Sequence, residues 1–216
     1  MYHRYFFGLD LGQAEDHSAL ALLERTPAPD PGGLHATRWH FVCRHLERWA
    51  LGTAYPAVIT RIQKLVRADR LRGATLVVDQ TGVGRAVVDL LRAARLPVEL
   101  TPITITGGHN INWAQDNSVH VPKKELVGCL QVLLQARRLK IAGRLPEAKL
   151  LERELLNFKV KITPAAHETF GAWREGEHDD LVLAVALAAW QGQRDPGPCS
   201  RPFVLSPGVQ FPRPYS

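Results

Sequence analysis

The sequence predicts one α/β domain whose mixed sheet begins as an antiparallel meander, continues through β-α-β units and carries helices on both faces. Three observations support this. Between Tyr5 and Leu46, apolar runs are separated by turn-forming residues, as in strands joined by short connections. From Thr53 onward, segments with a helical apolar period alternate with short apolar runs. The length of 216 residues, 45% of them hydrophobic, allows one sizeable core and is too short for two large domains.

The meander strands are expected at Tyr5–Leu11, which ends in Gly12, at Ser18–Glu24 and at Thr37–Leu46, with Pro27-Ala28-Pro29-Asp30-Pro31-Gly32-Gly33 turning the chain between the last two. Ala57, Ile59, Ile62, Leu65 and Val66 then recur with helical spacing, followed by a strand at Ala74–Asp79, a helix at Val83–Ala94 and a strand at Val98–Ile105. Helices follow at Lys123–Ala136, Pro146–Asn157 and Asp179–Gln191, with a brief strand at Leu139–Ile141. Val87, Leu90, Leu91, Leu130, Leu133 and Leu134 are expected in the core. The stretches Thr106–Ser118 and Thr163–Glu177 show no regular period and read as long loops, which in a compact domain often carry function. In the first of them, Trp113 and His109 either place the loop over an active site or, as is more usual for an aromatic in a loop, Trp113 anchors in the core; the second carries His167, Phe170 and Trp173 among glycine and charge. Residues 1–193 read as the domain and residues 194–216, with Pro196, Pro198, Pro202, Pro207, Pro212 and Pro214, as a flexible tail.

Several classes are excluded at this level. His3 and Arg4 are followed by only a short aromatic run before Asp10, so no signal-peptide core forms there, and Leu181–Trp190 is about half the length that spans a bilayer. A cytoplasmic protein with no membrane partner is expected. Cys43, Cys129 and Cys199 lie far apart without a CxxC spacing, which argues against both a disulfide framework and a zinc site. The net charge of +6 is concentrated: between Pro122 and Lys161 ten lysines and arginines face four glutamates, an excess equal to that of the whole chain. Such a segment suits a polyanion, because each neutralised phosphate releases condensed counterions, and it equally suits a solvated helix face.

The chemistry lies in the acidic residues. Asp10 closes the first strand, Asp79 closes the strand Leu76-Val77-Val78-Asp79, and Asp179-Asp180 open a very apolar helix. Each has an ordinary alternative: a turn residue, a helix cap, a pair favoured by the helix macrodipole. If the first and fourth strands are neighbours, however, both strand-end carboxylates project together and the last helix brings Asp179 and Asp180 against them. Carboxylates within about 4 Å repel by roughly 4 kcal/mol per pair at an effective dielectric of 20, so such a cluster needs cations. All-oxygen ligation with open positions suits Mg²⁺ or Mn²⁺, and two such ions suit phosphodiester hydrolysis.

In the stretches Gly8-Leu9-Asp10-Leu11-Gly12, Val78-Asp79-Gln80-Thr81-Gly82-Val83-Gly84, Val121-Pro122-Lys123-Lys124-Glu125-Leu126-Val127 and His178-Asp179-Asp180-Leu181-Val182, the chain resembles the nuclease domain of phage terminase large subunits, a branch of the ribonuclease H-like superfamily. The resemblance runs from about Tyr5 to Gln191. It implies that Asp10, Asp79 and Asp180 are metal ligands, with Asp179 a further or alternate ligand and His178 a neighbour that orients the cluster or touches DNA. It also implies cleavage of double-stranded DNA with little sequence preference. Within the basic segment, Lys123, Lys124, Arg137 and Arg138 are weaker candidates for phosphate contact. Terminase large subunits normally carry a packaging ATPase, yet no Gly-Lys pair occurs anywhere in this sequence, so a Walker A loop is absent. A motor on a separate chain, a nuclease acting alone and a prophage remnant all remain open.

Three other readings stay beside this one. Gly8–Gly12 also resembles the first phosphate loop of actin-like ATPases and sugar kinases, but those duplicate the core and need a longer chain. A Holliday-junction resolvase of the same superfamily uses acidic residues on the same scaffold and differs in its four-way substrate. A non-catalytic DNA-packaging module would retain the acidic residues without binding metal.

Overall fold

The three-strand meander forms, with its second strand running on through Pro27 and Ala28, two residues of the expected turn. In the computed structural model, which describes residues 3–12, 16–28, 38–82, 84–114, 118–162, 168–172 and 178–196, β1 (Arg4–Asp10), β2 (Ala19–Ala28) and β3 (Arg38–Arg48) pair antiparallel in sequence, with a bulge between Leu22 and Leu23. The chain continues through α1 (Tyr55–Val66), a 3₁₀ turn at Asp69–Leu71, β4 (Thr75–Asp79), α2 (Gly84–Ala93), β5 (Glu99–Thr106), β6 (Asn112–Trp113), β7 (Val119–Pro122) and α3 (Lys123–Gln135). It ends with β8 (Leu139–Ile141), α4 (Ala148–Asn157), β9 (Phe158–Ile162), β10 (Glu168–Ala172) and α5 (Asp180–Arg194). Eight strands make one mixed sheet in the order β6-β7-β5-β4-β1-β2-β3-β8, while β9 and β10 form a separate hairpin. The strands β1, β4, β5 and β7 are mutually parallel, so their carboxyl ends share one edge of the sheet.

Side chains alternate across the sheet and sort the helices onto its two faces. Phe7, Leu9, Leu76 and Val78 pack with Val58, Ile59 and Ile62 of α1 and Val87 and Leu91 of α2. Phe6, Val77, Ile103 and Val121 pack with Leu126, Leu130 and Leu133 of α3, Leu151 of α4 and nearly all of α5. Helix α5 is apolar all round because it lies between the sheet below and α3 and α4 beside it. Its approach to β1 is close: a Cβ on Gly8 would fall 1.9 Å from the Ala184 carbonyl oxygen and 2.8 Å from the Ala188 nitrogen.

Several expectations are corrected. Helix α5 runs to Arg194, past the predicted end at Gln191. Its end is held by the buried Arg25, which donates to the carbonyls of Gly192 and Asp195 at 2.6 Å each and pairs with the Asp195 carboxylate at 3.1 Å. A buried guanidinium is tolerated only when acceptors surround it, and no apolar period announces such acceptors. The loop predicted over Thr106–Ser118 contains β6, and the one over Thr163–Glu177 contains β10 with Phe170 in it, whereas His167 and Trp173 lie outside the described residues. Trp113 is not a core anchor: it is 72% exposed on a two-residue edge strand, where the ladder holds the backbone. Leu90 is likewise exposed, on the outer side of α2. Cys43 and Cys129 are free thiols, their pKa pushed up by burial to about 12 and about 11. Cys199 and most of the predicted tail lie outside the described residues. No helix among the described residues is long and apolar enough to cross a membrane.

Candidate active site

Two adjacent strand ends supply the first half of the site. Strands β1 and β4 run parallel with Leu9 opposite Val78, so one further residue sets Asp10 beside Asp79. Asp10 shares a face with Phe6 and Gly8, and Asp79 shares one with Val77; both therefore face α5. The helix supplies the second half. Ala184 rests on Gly8, and Asp180 stands one turn earlier on α5 while Asp10 stands two residues further along β1. The close approach at Gly8 thereby brings the start of α5 over the ends of β1 and β4.

The carboxylates are near enough to interact electrostatically, although among the described residues Asp10 and Asp79 do not join Asp180 in a donor set within 4.8 Å. Asp10 is buried, and its pKa is raised well above the usual carboxylate range, first by desolvation and then by the negative charges of Asp79, Asp180 and Asp179, with Lys123 opposing. Asp180 is pushed up to about 6 by burial, against the stabilising influence of His178 and His17. Asp79 is raised by burial, while hydrogen bonds from Thr81 act in the other direction. Its Oδ1 accepts the backbone N–H of Thr81 at 2.8 Å and the Thr81 hydroxyl, and that hydroxyl accepts the Ile105 N–H at 2.7 Å. Asp79 is therefore fixed in a tight turn at the strand end, five residues ahead of the first residue of α2 at Gly84.

The remaining candidates separate. Lys123 donates to Asp179 Oδ2 at 2.9 Å and lies 5.8 Å from the centre of the Phe158 ring, as an internal counter-ion at the rim of the cluster. Lys124 is in contact with His109 on the outer side of that rim. Arg137 and Arg138 follow the far end of α3, about 20 Å along the helix from Lys123 at 1.5 Å per residue, and are not brought to the cluster. His178 Nδ1 lies 3.8 Å from Asp180 Oδ2 and 3.8 Å from Asp16 Oδ1, and its ring meets His17 edge-on at 4.9 Å.

Asp16 was not singled out in the sequence. Donor atoms of Asp16, His178 and Asp180 lie within 4.8 Å of one another, a mixed oxygen and nitrogen set that shares Asp180 with the carboxylate cluster. The sequence between Gly12 and Ser18 has no periodic pattern that would single out Asp16. The structure ties Asp16 to the end of β1: Gly12 approaches its carbonyl oxygen so closely that a Cβ would clash, and the Gly12 N–H donates to the Ser18 hydroxyl at 3.2 Å. The donor set fits a hard divalent cation. Asp180 Oδ2 is buried with no hydrogen-bond partner, and a buried carboxylate oxygen left in that state calls for a proton or a metal.

A mixed sheet in this strand order, with helices on both faces and carboxylates at the ends of β1 and β4, is a ribonuclease H-like fold. Among the solved structures it resembles are nuclease domains of phage large terminases. The large terminase nuclease from thermophilic phage G20c with bound magnesium matches with a TM-score of 0.60 and 25% identity, covering 88% of this chain and 82% of that one. The nuclease domain of Thermus phage P74-26 large terminase matches with a TM-score of 0.58 and 24% identity over 88% of this chain and 80% of that one. The HK97 bacteriophage large terminase shares the fold at 14% identity and a TM-score of 0.52, with 40% of its own chain covered. No protein-family model and no curated protein matches the sequence.

Proposed function

We propose that this protein is a divalent-metal-dependent DNA endonuclease of the kind found in phage packaging terminases, acting on double-stranded DNA. The observation that carries this reading is the placement of Asp10 and Asp79 at adjacent strand ends beneath the start of α5, where Asp180 joins Asp16 and His178 with donor atoms within 4.8 Å of one another. Likeness to the G20c nuclease at 25% identity supports it. Asp10, Asp79 and Asp180 would hold Mg²⁺ or Mn²⁺, with Asp179 as an alternate ligand when Lys123 releases it and Asp16 and His178 as the outer flank of the same cluster. Two bound ions would activate a water and stabilise the leaving oxygen of a phosphodiester. The chain's own contribution is to place the carboxylates before substrate arrives: β1 and β4 set the Asp10–Asp79 pair, Thr81 fixes the Asp79 rotamer, and α5 closes one side of the cluster. Without a Gly-Lys phosphate loop in this sequence, any packaging ATPase would be a partner or lie outside it.

Purified protein is expected to nick or cut duplex DNA in Mg²⁺ or Mn²⁺ and to leave it intact in EDTA. Cleavage of linear duplex undiminished in EDTA would remove the reading, and activity confined to four-way junctions would replace it with a junction resolvase. At the rim, Lys124→Glu is expected to weaken binding to all duplex sequences alike and to lower the salt slope by about one, as for the loss of one phosphate contact. Arg137→Glu, at the far end of α3, is expected to leave the slope unchanged. Titrations between low and moderate salt read both, and equal effects would place the DNA along α3 instead.

A further inference from the structure

Asp179 stands at the N-cap of α5, the position where an aspartate ordinarily accepts the free backbone N–H groups of the first turn, yet it makes no such bond. Its carboxylate is turned to Lys123 at 2.9 Å. The first-turn groups are satisfied from another helix: Oε2 of Glu154, on α4, accepts the N–H of Leu181 at 2.9 Å and of Val182 at 3.1 Å. Glu154 is only 6% exposed, and its other oxygen, Oε1, is buried with no hydrogen-bond partner. A buried carboxylate in this position is unfavourable for stability taken alone, because it adds charge beside Asp180, and an apolar residue there would pack without that cost. What it accomplishes is to hold the α5 amino terminus from outside, leaving both Asp179 and Asp180 free of capping.

We propose that Glu154 is a positioning residue for the metal site, acting as a cap supplied by a neighbouring helix that sets Asp180 against Asp10 through the Leu181 and Val182 N–H groups. The inference rests on the metal-site reading above. It distinguishes the acceptor oxygen from the charge: Glu154→Gln keeps a carbonyl oxygen with two lone pairs for both N–H groups, Glu154→Asp keeps the charge on a stem one methylene too short, and Glu154→Ala removes both.

Two measurements test it, Mn²⁺ binding by calorimetry and amide hydrogen exchange at Leu181 and Val182 in EDTA, with circular dichroism to establish folding. Glu154→Ala and Glu154→Asp are expected to raise the Mn²⁺ dissociation constant about tenfold or more, while Glu154→Gln stays within about threefold of wild type, in the range seen when outer partners of metal ligands are changed. Exchange at the two amides should be slow in wild type and Glu154→Gln and fast in the other two. Folded Ala and Asp variants that bind Mn²⁺ like wild type would overturn the proposal, and so would a Gln variant as impaired as the Ala variant. If Glu154→Ala fails to fold, the Gln and Asp pair decides. If wild type itself takes up no Mn²⁺, the metal reading fails by itself; unchanged protection of the two amides in Glu154→Asp would then overturn the capping role.

Discussion

Asp10→Asn is expected to melt higher than wild type in EDTA, to gain little from Mn²⁺ and to lose cleavage by about a thousandfold or more. The carboxylate at position 10 is buried among Asp79, Asp179 and Asp180, so in the absence of metal its charge costs desolvation and repulsion, both of which an amide of the same shape avoids. In wild type, a metal at about 100 times its dissociation constant adds roughly 2.7 kcal/mol, or about 5–10 °C for a domain of this size. The loss in rate corresponds to several kcal/mol of transition-state stabilisation. The same shifts determine the pH dependence. Asp10 is raised well above 3.8, Asp180 from 3.8 to about 6 and Glu154 from 4.5 to about 7, so between these limits the folded state binds more protons than the unfolded one. That contribution is present at low pH and is lost as pH rises through the folded values, so wild type in EDTA should gain stability as pH falls from about 7 to about 4.5. Below that, the lowered Glu24 and Glu47 act in the opposite sense. Thermal melts of both proteins across this window, with EDTA and with Mn²⁺, provide the check; an Asn variant less stable than wild type in EDTA would mean that the four carboxylates do not form one repulsive cluster.

Gly8→Ala is expected to lower cleavage about a hundredfold or more with every acidic residue intact. The added Cβ would meet backbone, at 1.9 Å from the Ala184 oxygen and 2.8 Å from the Ala188 nitrogen, and backbone atoms cannot rotate aside as a side chain would. Helix α5 has to move off β1, carrying Asp180 away from Asp10, and a misplacement of about 1 Å at a reacting centre is enough for a loss of about 100-fold. Overpacking of this kind costs about 1–3 kcal/mol, which corresponds to a melting point lower by about 2–12 °C. Gly128→Ala is the control: a Cβ there meets open space on α3, where alanine favours the helix by about 1 kcal/mol. Comparing rates and melts of the two variants separates displacement of the site from a general effect of adding a methyl group, and a Gly8→Ala enzyme with wild-type rate would show that α5 does not set the Asp180 position.

Much of the fold was legible because its signals are local. The apolar run Phe6-Phe7-Gly8-Leu9 ending at Asp10 and the run Leu76-Val77-Val78 ending at Asp79 announce strands that finish on a carboxylate, and each lies within a few residues of chain. Two-residue β6, four-residue β7 and the hairpin of β9 and β10 are not legible because segments that short, or lying in charged and glycine-containing sequence, show no period distinguishable from loop. Trp113 departs from its expected place for a related reason: its burial depends on what covers an edge strand, which its sequence neighbours do not encode.

By itself the sequence determined which residues carry the charge and which elements end on them: two strands closed by Asp10 and Asp79, an apolar helix opened by Asp179 and Asp180, and a basic stretch from Lys123 onward. Only the tertiary structure decided how they meet. The parallel register of β1 and β4, the close approach of α5 at Gly8, the addition of Asp16 and His178, and the burial of Arg25 against Gly192, separated from it by 167 residues, are outcomes of packing between distant segments. The cap on α5 comes from Glu154, 27 residues before Leu181 on a different helix, while the aspartate that local rules would choose turns to Lys123. Periodicity and capping preference act over a turn or a strand, whereas burial and unsatisfied hydrogen bonds are settled by whichever group the folded chain brings within reach.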